Sequence, residues 1–158
     1  MAKKSSVNSN ADKHCGDFAK ARALFETGWL CQFCMKNPFT DAFHMIRRRW
    51  HKVRWFRFNV FASCRQCNDE MNKSERRFWE WFVSKYDKGL AEFMESLARG
   101  DALFTTSEVR EIAKDYRLKA QEIKTHGKVL SPKYVVDRLL IEKHHTDTFS
   151  LDKAVGDY

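Results

Sequence analysis

The residues that speak first to chemistry are four cysteines in two short pairs, Cys31-Gln-Phe-Cys34 and Cys64-Arg-Gln-Cys67. A tight turn with that spacing presents two thiolates to one metal ion, and two such turns complete a tetrahedron at roughly 2.3 Å per bond. Four protein ligands close a coordination sphere, so a Zn²⁺ held here is structural. The gap between the pairs, residues 35 to 63, is longer than in a compact zinc ribbon, so the metal staples the two ends of an inserted element. Cys15 is left over, beside His14.

The inserted element carries the charge. From Ala42 to Asn68 stand Arg47, Arg48, Arg49, Lys52, Arg54, Arg57 and Arg65 with no acidic residue, against a formal net charge of +8 for the whole chain. The rest is close to neutral, so basic character is concentrated at one locus. Phosphates call for Lys and Arg, and affinity gained this way falls steeply with salt. Trp50 and Trp55, set among the arginines, are either bases' stacking partners at a junction, fork or single strand or core residues of a small zinc module. No element reads as a base-reading recognition helix, so DNA shape is the expected determinant.

Within the same insert, His44 lies in Phe43-His44-Met45, Asn59 in Phe58-Asn59-Val60, and Asn68 directly follows Cys67. That order of His, Asn and a further Asn after C-x-x-C is the order of HNH, or ββα-metal, nucleases. With Arg48-Arg49, Arg54-Trp55 and the later Lys114-Asp115-Tyr116-x-x-Lys119-Ala120 stretch, residues 29–124 resemble the phage NinG (Rap) recombination nucleases. In layout they are more distantly similar to phage endonuclease VII. The resemblance implies a metal-dependent endonuclease acting on branched or recombination-intermediate DNA, in a phage-related setting. Carried over by residue, His44 is the general base, Asn59 orients its imidazole, and Asn68 is a ligand of a catalytic Mg²⁺ or Mn²⁺, assisted by Asn72 one turn on. Phe43 stands where many such sites have an acidic metal ligand, and Asp41 is the candidate to replace it. Phe56 likewise stands where the family often has an acidic residue.

The chemistry makes sense without the family. Hydrolysing a phosphodiester needs an activated water, a counter-charge for the pentavalent state and a stabilised leaving oxygen. A histidine near its ordinary pKa of about 6.5 suits general-base work at cellular pH, and Mg²⁺ binds phosphate oxygens with only one or two protein ligands. Each residue also has a plain structural alternative: a packed strand histidine for His44, a strand cap for Asn59, a helix N-cap for Asn68. On those readings the chain is a non-catalytic zinc-containing nucleic-acid-binding protein.

The elements that must position these residues follow from composition and periodicity. A chain of 158 residues with 43% hydrophobic content, 13 Phe and 5 Trp supports a packed core, and 2 Pro and 6 Gly argue against a sandwich of many short strands. No apolar run spans a bilayer and the start lacks an export signal, so a cytoplasmic protein with no membrane partner is expected. Residues 1–16 read as a flexible lead-in, and a helix is predicted from Asp17 to Thr27, stopped by Gly28. Residues 17–74 form the zinc-bound module, 75–145 a helical extension and 146–158 a polar tail. In the extension, Phe78, Trp81 and Phe82, then Leu90, Phe93, Met94 and Leu97, follow helical spacing. Thr105-x-x-Glu108 opens a further helix as a capping box, and Ser131-Pro132 opens another. The fold class is α+β: a small zinc-stapled ββα-metal, treble-clef-like module with flanking helices, whose extension is a candidate homodimer surface.

Overall fold

The computed structural model describes residues 4–100, 104–130 and 133–144; the Ser131-Pro132 cap and the 146–158 tail lie outside the described residues. The elements are α1 (Lys4–Thr27), β1 (Asp41–His44), β2 (Val60–Ser63), α2 (Arg65–Lys73), α3 (Arg76–Lys85), α4 (Lys88–Ala98), α5 (Thr106–His126) and α6 (Val135–His144). The architecture is α+β, with one two-stranded antiparallel sheet in which Asp41 pairs with Ser63 and His44 with Val60. No described helix is long and apolar enough to cross a membrane.

The first correction is at the N-terminus. Residues 1–16 were expected to be flexible, yet α1 is already helical at Lys4. Its inward stripe is Val7, Ala11, Cys15, Phe18 and Ala19, all buried, spaced at three, four and one along the chain as one helix face requires. Alanine and cysteine carry little hydrophobic signal, so the face is hard to see in the sequence. It works because small side chains let α1 lie close against α5. Phe18 meets Tyr116 with ring centroids 5.1 Å apart.

Helix α5 forms as its sequence asks. Thr105 Oγ1 accepts from the Glu108 N–H at 3.3 Å, and Glu108 Oε2 accepts from the Thr105 N–H at 2.6 Å, closing the capping box. Gly127 ends the helix at φ 72°, a left-handed position that glycine adopts without strain. Helix α3 packs on the sheet through aromatic contacts, Phe43 meeting Phe78 at 5.5 Å and Phe61 meeting Trp81 at 5.2 Å, and Phe93 of α4 meets Phe56 at 6.1 Å. Buried residues of α1, the sheet and α3 to α6 form one continuous core. Each fully buried Phe, Leu or Ile in it contributes about 1.5–3 kcal/mol.

The link between β1 and β2, residues 45–59, is where the arginines lie. It has turns and no regular element, so its backbone groups need partners from elsewhere. Asn59 supplies several. Its Oδ1 accepts from the Ile46 N–H at 2.6 Å, and its Nδ2 donates to the Ile46 and Val53 carbonyls at 3.0 and 2.8 Å. Arg22 of α1 donates to the Arg57 and Val60 carbonyls, and Tyr116 Oη donates to the Trp55 carbonyl. The link is thus an ordered platform between α1 and α5.

Candidate metal centre and active-site cleft

Two turns bring the four cysteines together. In the first, the Cys31 N–H donates to the Asn37 carbonyl at 2.8 Å and the Met35 N–H to the Cys31 carbonyl at 3.0 Å, with Met35 at φ 53° closing the knuckle. In the second, Cys64 ends β2 and N-caps α2, its Sγ accepting from the Cys67 N–H at 3.5 Å. The four Sγ atoms lie within 4.8 Å of one another, and Cys34 Sγ is 3.9 Å from Cys64 Sγ. A zinc tetrahedron with bonds of roughly 2.3 Å has S–S edges of about 3.8 Å, so the donor set and its spacing fit a metal ion such as Zn²⁺. Burial raises the Cys34 thiol, but the backbone N–H groups of Asn37 and Lys36 outweigh it and hold it at about 7, near the thiolate a metal needs.

The second site is an open cleft of about 420 Å³ beside this staple. Its lining includes His44 from the end of β1, Asn68 and Asn72 from α2, Arg47 and Arg48 from the basic link, and Asp12 from α1. Antiparallel pairing of β1 with β2, and α2 leading directly out of Cys64, carry His44 and Asn68 to the same place.

His44 is half-buried beside the basic link. Its Nε2 is buried with no hydrogen-bond partner among the described residues, so that nitrogen is uncommitted to any protein group. Burial is the main influence on its pKa, which falls from near 6.5 to about 4; Asp12 pulls it up, while Arg48 and Arg54 push it down. The expectation of an ordinary value is corrected accordingly.

The structure does not bring Asn59 into the orienting role expected of it. Asn59 spends its amide on Ile46 and Val53, so it shapes the link that carries Arg54 and does not reach the imidazole. Asp41 is also displaced from its expected part. It is absent from the cleft lining and accepts from Asn68 Nδ2 at 3.2 Å, with Arg65 at 3.7 Å. It positions Asn68. Asn72 Nδ2 donates to the Asn68 carbonyl at 3.2 Å.

Asp12 is the residue that sequence reasoning missed. Its Oδ1 accepts from Arg54 Nε and Trp55 Nε1, both at 2.9 Å, and its Oδ2 from Arg54 Nη2 at 2.6 Å. Arg48 lies 3.6 Å away. Burial raises the carboxyl, but Arg54 and Trp55 outweigh it and hold it below its usual range. The only signal in the sequence was a lone acid next to Ala11, on a helix start read as unstructured.

The basic cluster divides. Arg47, Arg48, Arg49 and Trp50 are exposed and suit a polyanion. Trp55 is 1% exposed and Lys52 6%, while Arg54 is engaged by Asp12 and Arg57 by Asp137 at 3.4 Å. Arg57 also lies over the Phe58 and Tyr134 rings at 4.4 and 4.7 Å. These four build the platform and do not present themselves to DNA. Phe43 is core, packed on Phe33 with centroids 4.9 Å apart.

Compared with protein-family models, curated proteins and solved structures, the chain found no match.

Proposed function

We propose that the protein is a metal-dependent DNA endonuclease of HNH type, with His44 as general base. The observation that carries the reading is His44, which lines a cleft with Asn68, Asn72, Arg47 and Arg48 and whose buried Nε2 has no hydrogen-bond partner among the described residues. Below the cleft the four-cysteine cluster fixes the two ends of the catalytic insert, as the resemblance to NinG nucleases implies.

His44 is neutral at cellular pH, so its imidazole has a lone pair to take a proton from the attacking water. A phosphodiester in the cleft adds negative charge beside the ring and raises its basicity where the reaction needs it. Arg48 and Arg47 sit where charge on a bound phosphate is neutralised. The donors fit Mg²⁺ or Mn²⁺ only in part. Asn68 and Asn72 offer amide oxygens, but the one carboxylate in the lining, Asp12, has both oxygens engaged by Arg54 and Trp55. Such a cation is held chiefly by substrate phosphate and water, with Asn68 as the main protein ligand, and its chemistry there is to stabilise the leaving oxygen. Branched DNA as substrate, a phage-related setting and a homodimer belong to the same proposal.

The shortage of free carboxylates favours one second reading, a zinc module that binds nucleic acid without cutting it. A nicking assay on supercoiled plasmid, linear duplex and four-way junction separates the two. The nuclease nicks with Mg²⁺ or Mn²⁺ and stops when the divalent cation is withheld from zinc-loaded protein. A zinc-loaded protein that binds DNA and never cuts it is the binding module.

A further inference from the structure

A second cleft, of about 450 Å³, lies on the other side of Arg47 from the first. Its walls come from the basic link and from the helical extension: Arg47, Arg49 and Trp50 on one side, Trp79 of α3 and Arg99 at the end of α4 on the other. We infer that this cleft is a subsite for an unpaired nucleotide, whose base stacks on Trp50 while Arg47 holds the phosphate that joins it to the strand in the neighbouring cleft.

Four observations support this. Trp50 is 44% exposed, and its only ring contact among the described residues is the Arg49 guanidinium at 5.3 Å. An exposed indole backed by a cation is a stacking platform of the kind that binds single strands. Trp79 is half-buried on the facing wall and packs its inner edge on Phe82 at 5.7 Å, so its position is fixed. The charge is modest: Glu75 pairs with Arg47 at 3.4 Å and Glu95 with Arg99 at 3.6 Å, and Arg49 has no ion pair among the described residues. Three arginines against two glutamates suit one nucleotide better than the dense phosphates of a duplex. Inside a duplex a base has its edge paired and both faces covered by stacked neighbours and cannot enter, so the site distinguishes unpaired DNA from duplex.

The continuity through Arg47 rests on the nuclease reading, but the stacking subsite is read by binding alone. Full-length, zinc-loaded protein is titrated without added Mg²⁺ against a blunt duplex, the duplex with a short unpaired tail, and the duplex with an abasic tail. The abasic tail keeps the phosphates and removes the bases. The expected result is about tenfold tighter binding of the natural tail than of the abasic one, reduced to about twofold in Trp50→Ala and largely kept in Trp50→Phe. Wild-type protein that treats the two tails alike, or Trp50→Ala that keeps the full preference, overturns the subsite. Nicking by the same preparations separates the two proposals. Tail preference without cutting leaves the subsite standing and removes the nuclease, and cutting without tail preference does the reverse.

Discussion

Replacing Asp12 with alanine tests how the cleft is held. In the folded protein Asp12 and Arg54 are only 14% and 15% exposed at their side chains, and they form a two-pronged pair that also satisfies Trp55 Nε1. Removing one member of such a pair strands the other charge. For fully buried pairs the cost is about 3–5 kcal/mol; with water able to reach both groups here, about 3 kcal/mol is expected. Urea unfolding should show it as a lower midpoint with an unchanged slope. Arg54→Ala should cost a similar amount, and the double variant less than the sum, with a coupling of about 2 kcal/mol. The same change reaches His44 twice. It removes the negative charge that supports the imidazolium, and it frees the Arg54 side chain that anchors the link beside the ring. Cutting should therefore fall even at temperatures where the variant is fully folded. Stability within about 0.5 kcal/mol of wild type, no coupling to Arg54 and unaltered cutting would together refute the reasoning.

Four further outcomes are expected. Stability should depend on pH through His44: its folded pKa of about 4 lies below its unfolded value of 6.5, so the unfolded chain binds more protons between them. The stability is complete above pH 6.5 and is lost as pH falls toward 4, by up to about 3 kcal/mol, and His44→Gln should flatten that limb in urea titrations at several pH values. The depressed Asp12 carboxyl adds a loss in the same direction only below that window. Asn59→Ala leaves the buried Ile46 N–H and two carbonyls unpaired and should cost about 2–4 kcal/mol, seen as a lower thermal midpoint. Elemental analysis should find one zinc per chain, and Cys64→Ser, which removes a ligand while leaving a side chain able to cap α2, should release it and unfold the insert by circular dichroism. Arg48→Ala should weaken binding to all DNAs alike and reduce the salt slope by about one, whereas Arg57→Ala should act on stability through Asp137.

What was legible in the sequence is what local spacing encodes. The C-x-x-C pairs, the Thr105 to Glu108 cap and the aromatic stripe of α3 each depend on residues within one or two turns. The platform was not legible because it depends on distant partners. Asp12 meets Arg54 across 42 residues, and a charge run gives no sign of which arginines have such a partner. Trp55 looked like its neighbour Trp50 in the sequence, yet one is core and the other is exposed. The second half of helix α1 was legible from Asp17 to Thr27, but its first half escaped notice because the buried stripe there is only Val7, Ala11 and Cys15. Asn59 was placed in the right neighbourhood, but its three side-chain hydrogen bonds go to the backbone of the link and not to His44.

The most direct measurement is single-turnover cutting of a branched duplex by wild type and His44→Ala, purified alike, with DNA affinity measured beside it. The account expects the variant to retain zinc, fold and affinity and to lose cutting by about a hundredfold or more, the contribution of a general base. Cutting that persists in His44→Ala, or a wild type that binds the duplex and leaves it intact in Mg²⁺ and Mn²⁺, would contradict it.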